Sequence, residues 1–86
     1  MSKVATYHQA GDGYIITCWN AQPGIVEELI DKARRRNMRL KTTVHKTDGL
    51  MVWKSHAGVC LAVHNSQLQE FVDALRLLEF EVREGA

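Results

Sequence analysis

One proline, two cysteines, six aromatic residues and no long apolar run are all that 86 residues contain of these features, and each shortage excludes something. With Pro23 as the sole proline, strands and helices can run almost unbroken. Cys18 and Cys60 both sit inside apolar runs and are too few for a disulfide framework, so they read as reduced core thiols of a cytoplasmic protein. No stretch approaches the roughly 20 apolar residues of a membrane span. The N-terminus has one lysine and no apolar run behind it, so neither a leader nor an anchor is expected. Gly11-Asp12-Gly13 lacks the length, and the following Lys-Ser or Lys-Thr, of a phosphate loop, and no carboxylate pair marks a predicted active face.

What is present is an ordinary globular composition, 45% hydrophobic and 24% charged, which fits a single domain over residues 1–86 with a modest core. The net charge of +1 conceals a strong segregation. Residues 1–31 sum to −3, residues 32–46 to +7, residues 47–64 to zero and residues 65–86 to −3. A nearly neutral chain therefore carries one concentrated basic stretch, suited to steering an acidic partner or to holding two copies together.

Val4–Gln9 alternates weakly and leads into Ala10-Gly11-Asp12-Gly13, a hairpin connection, so a short N-terminal edge strand is expected. Tyr14–Asn20 is apolar on both parities and reads as a central strand. From Pro23 to Asn37 the stripe Ile25, Val26, Leu29, Ile30 and Ala33 predicts an amphipathic helix, acidic at its start and basic at its end, as the helix dipole favours. Met38–Lys46 alternates with period two, which predicts a strand with Arg39, Lys41, Thr43 and His45 on one face. Asp48-Gly49 is a hairpin signal before a further strand, Leu50–Lys54. His56-Ala57-Gly58 interrupts the pattern, and Val59–His64 is either a bulged continuation of that strand or a separate one. A second helix follows a cap at Asn65 or Ser66, with Gln69 in capping-box position and Leu68, Phe71, Val72, Leu75 and Leu78 buried. Glu79–Glu84 alternates again as a last, acidic strand.

That order predicts an α+β fold, a ferredoxin-like split β-α-β two-layer sandwich. Two helices would cover one face of an antiparallel sheet, with the extra N-terminal strand at an edge. The other face would be bare. Arg39, Lys41 and His45 would project there beside Trp19 and Trp53, and Arg34, Arg35 and Arg36 would extend the basic surface at the helix end. These eight residues are the candidate partner-binding set.

The function expected from this pattern is a small non-catalytic binding module, an inhibitor or adaptor of the type that phages and mobile elements encode, that docks onto an acidic macromolecule, a protein before a nucleic acid. Self-association into a homodimer is a further expectation. Basic residues flanking aromatics on a sheet also suit single-stranded RNA, the first alternative, and the layout resembles RNA-recognition domains. Their glycine and aromatic signature is absent from LMVWKSHAG. The second alternative rests on a strand, a loop ending in Pro23-Gly24, an amphipathic helix and a strand. This order resembles the start of ACT-type regulatory domains, which implies an amino-acid ligand, although Ala21 and Asn37 depart from that family's pattern.

No metal, cofactor or catalytic residue is expected. His56, Cys60 and His64 are spaced by four, which brings ligands together on a helix but holds them about 13 Å apart along a strand. Either thiol, mid-strand in apolar surroundings, should have a raised pKa and low reactivity.

Overall fold

The computed structural model describes residues 3–22, 24–36 and 51–85. Its elements are β1 (Lys3–Ala10), β2 (Gly13–Trp19), α1 (Ile25–Arg36), β3 (Met51–Lys54), β4 (Gly58–His64), a short 3-10 turn at Asn65–Gln67, α2 (Leu68–Leu77) and β5 (Phe80–Glu84). The expected strand over Met38–Lys46 and the Asp48-Gly49 turn lie outside the described residues.

β2 is the middle strand because side chains on both its parities find cover or neighbours. Ile16 and Cys18 are buried beneath the helices, while Ile15 and Thr17 are half-buried on the opposite face. The strand order is β3-β4-β2-β1-β5. β1 runs antiparallel to β2 and parallel to β5, and β4 runs antiparallel to both β2 and β3. The α+β class is as expected, but three details of the expected layout are corrected. The sheet is mixed, it has five described strands in an order unlike the ferredoxin-like one, and β1 is interior. A two-residue Gly11-Asp12 loop ties β1 to β2, with Gly11 at φ 59°, and the chain then returns β5 to the far side of β1. Ala5 is fully buried in that position. It fills interior space with a single methyl, which is why a mostly polar stretch reads as an edge.

The core lies between one sheet face and both helices. Leu29 of α1, Phe71 and Leu75 of α2, and Ile16 and Leu61 of the sheet are among its most enclosed side chains. Among the described elements, the strands before and after each helix run in the same direction. β2 and β3 have β4 between them, and β4 and β5 have β2 and β1 between them.

The ambiguous stretch before β4 is a hairpin. Ser55 and Gly58 exchange backbone hydrogen bonds, Ser55 N–H to Gly58 O at 2.8 Å and Gly58 N–H to Ser55 O at 3.2 Å, around a His56-Ala57 loop. Ser55 Oγ also accepts the Ala57 N–H at 3.2 Å. Ahead of α2, the capping residue differs from the expected one. Gln67 Oε1 accepts the His64 N–H at 3.0 Å, whereas Gln69 Nε2 donates to Asp73 Oδ1 at 2.9 Å along the helix. The 3-10 turn shifts the start of α2 by a residue or two, which moves the glutamine that can reach back.

Candidate functional site

Strand alternation sends one set of side chains to the helices and the other to a face that no described element covers. On β4, Val59, Leu61 and Val63 belong to the core cluster, so Cys60, Ala62 and His64 point the other way. Register carries the assignment across the sheet. Trp53 pairs with Cys60, Cys60 with Thr17, Thr17 with Thr6, and Thr6 with Arg83. The next row is Met51, Ala62, Ile15 and His8.

This face is aromatic at two places and small in between. Trp19 is 44% exposed, Trp53 36% and Met51 70%. Trp19 is held by Nε1 donating to Thr6 Oγ1 at 2.9 Å, which fixes the ring beside the row of small residues. Thr17 Oγ1 and Cys60 Sγ are 3.5 Å apart, and the Cys60 thiol donates to Ser55 Oγ at 3.6 Å. Outward positions on β1 to β4 carry no Asp, Glu, Lys or Arg, and Lys54 shares the helix-side parity of Val59, with which it pairs. On β5, Arg83 Nε donates to Glu81 Oε2 at 2.6 Å, so these two outward charges neutralise each other.

A cleft of about 640 Å³ opens at one end of the face. Met51 and Trp53 form one wall, Ile15 and Ala62 lie at its base, and Asp12 and His64 stand at its rim. A second cleft, about 510 Å³, sits at the turn before α1 between Trp19, Ile25 and Phe80, with Lys3 and Glu28 at its mouth. Lys3 is already engaged, its Nζ donating to Leu78 O at 3.2 Å and lying 5.7 Å from the centre of the Phe80 ring.

Of the candidate residues, Trp19 and Trp53 are brought to the same bare face. Arg34, Arg35 and Arg36 belong to the last turn of α1. Arg39, Lys41 and His45 lie outside the described residues. The shallow row of Thr6, Thr17 and Cys60 was missed by sequence reasoning, because its members become neighbours only once β1, β2 and β4 are in register.

Both cysteines are free and buried, on opposite faces of the sheet. The Cys18 thiol is pushed up to about 12, first by burial and then by the neighbouring Cys60 thiol. It therefore stays protonated at neutral pH, as a poor nucleophile. Among the described residues no three His, Cys, Asp or Glu side chains converge as metal ligands, and no helix is long and apolar enough to cross a membrane. Comparison with known protein families, curated proteins and solved structures finds no match for this chain.

Proposed function

We propose that the chain is a ferredoxin-type split β-α-β unit, with β1 inserted as an additional strand, that acts without catalysis as a cytoplasmic binding module. It docks onto an acidic protein, with Trp19 and Trp53 as aromatic anchors. The basic run that begins with Arg34, Arg35 and Arg36 steers the encounter. The two like-directed β-α-β passages support the architecture.

The observation that carries the docking reading is the presence of both tryptophans, exposed, on the face the helices leave bare. Such aromatics, in a charge-poor patch, are the residues that most often dominate binding energy between proteins. RNA is the weaker reading, because bases stacked on those rings would find few cations nearby among the described residues. Arg83 is engaged by Glu81, and Lys54 takes the helix-side parity of its partner Val59. A second reading, a small-ligand regulatory domain of ACT type, is favoured by the cleft at the turn before α1. A panel of amino acids that raises the melting temperature of the purified chain would support it.

Capture of a partner from the native host, with and without nuclease, separates the classes. Docking on protein predicts one specific partner, retained after nuclease and lost with Trp53→Ala or Arg35→Glu, while the melting temperature changes little. Loss of all capture on nuclease treatment would transfer the assignment to nucleic acid, with affinity falling steeply as salt rises.

A further inference from the structure

We infer that the bare face of the sheet is an interface with a second copy of this chain, and that the free protein is a reversible, two-fold symmetric dimer packed sheet against sheet. This goes beyond the docking role and stands without it.

The first argument is charge. The outward positions of β1 to β4 carry no Asp, Glu, Lys or Arg, and Lys54 belongs to the helix-side set with its partner Val59. On β5, Glu81 and Arg83 cancel within one chain. Two identical surfaces repel when they carry net charge, and the middle of this face carries none. Charge is placed instead on the helical layer, where Glu27 and Glu28 occupy the first turn of α1. A charge-depleted patch centre with an aromatic component is the composition of interface cores.

The second argument is shape. Bulk stands at the β3 border, in Trp53 and Met51, and at the end of β2, in Trp19, while the row inward from Trp53 is Cys60, Thr17 and Thr6. The adjoining row, inward from Met51, is Ala62, Ile15 and His8. A surface with a raised border and a shallow centre is complementary to itself under a two-fold rotation. The β3 border of each copy lies over the shallow row of the other, so each contact occurs twice.

The third argument is area. The five strands, four to eight residues long, lie about 4.8 Å apart and rise about 3.3 Å per residue, which gives a face of roughly 490 Å². Two copies would bury about 980 Å², close to the roughly 1,000 Å² that marks a specific interface and of the size of a weak, reversible one. An interface of that size, without buried ion pairs, is expected to dissociate on dilution into the micromolar range. Partner docking and self-association then compete for Trp19 and Trp53, so that the free chain conceals its anchors.

Sedimentation velocity on the purified 86-residue chain in reducing buffer, from about 1 to 200 µM, tests the inference. The expected result is a shift from one 9.8 kDa chain toward two as concentration rises, with tryptophan emission moving to the blue over the same range. Met51→Lys combined with Trp53→Lys should raise the dissociation constant at least ~10-fold. Leu77→Lys, which removes an exposed apolar side chain from α2 instead, should leave it unchanged. A chain that stays monomeric throughout overturns the inference. So does a dimer that survives the double substitution or is lost with Leu77→Lys. If the double variant does not fold, tryptophan emission of the native chain decides, and emission that ignores association overturns it. No partner is present in these measurements, so a monomer leaves the docking role standing, and a failed partner capture leaves the dimer standing.

Discussion

Cys18 and Cys60 are on adjacent strands, yet they live in different chemistry. Cys18 faces the helices and has lost access to water, whereas Cys60 faces the bare side among hydroxyls from Thr17 and Ser55. Burial holds the Cys18 proton on up to about 12, compared with an ordinary 9.0. Above 9.0 the unfolded chain releases this proton while the folded chain retains it, so the folded state binds more protons and stability falls as pH rises. Below that value both states hold the proton and the thiol adds no pH dependence. Urea unfolding near pH 8 and near pH 10 should therefore show a loss of about 1 kcal/mol attributable to this group. Cys18→Ala, although less stable at both values, should lose that much less between them. That Cys18 lies in the core was legible in the apolar run around it, and the raised pKa followed from that. The different surroundings of Cys60 were not legible, because Ser55 reaches it only through a turn that periodicity does not reveal.

The β3–β4 hairpin shows what sequence patterning sees and misses at the scale of elements. Val59, Leu61 and Val63 alternate clearly enough to define β4, but His56-Ala57-Gly58 reads equally as a bulge. Backbone geometry decides it. Gly58 has φ 148°, a region nearly closed to residues with a side chain, and a Cβ there would collide with the Cys18 carbonyl of β2. The turn and the close approach of β4 to β2 thus depend on one missing methyl group. Gly58→Ala should cost about 2–4 kcal/mol in chemical denaturation, far more than the same change at the open turn residue Gly24, around which a Cβ would meet nothing. The helices were read closely from their apolar stripes, because Leu29 and Ile30 of α1, and Phe71, Val72 and Leu75 of α2, recur at helical spacing and are buried. The reach-back expected of Gln69 at the start of α2 is made instead by Gln67 of the 3-10 turn, which leaves no trace in hydrophobic period.

For the whole molecule, the placement of β1 matters most. Weak alternation in Val4–Gln9 predicts a short edge strand, whereas the strand sits between β2 and β5 with Ala5 sealed inside. Propensity and pattern report how a strand's faces are covered, but they do not report which strand lies beyond it; here that is set by the path of the chain after α2. Removing residues 1–10 should therefore split the sheet rather than trim it. The shortened chain should lack a cooperative thermal transition and show poorly dispersed amide spectra. A trimmed chain that melts as the full one does would mean that β5 can close directly on β2.

The parallel pairing of β1 with β5 also has a consequence during synthesis. Lys3 and Leu78, joined by a hydrogen bond in the finished fold, are 75 residues apart in the chain. At roughly 5–20 residues per second, a ribosome needs about 4–15 s to pass from one to the other. Throughout that interval the outer edge of β1 has no native strand to pair with, and an open edge is a template for other nascent chains. Substitutions in β5 that barely alter the melting point of the purified protein should therefore reduce its soluble yield in cells first, with expression temperature as the variable that restores it.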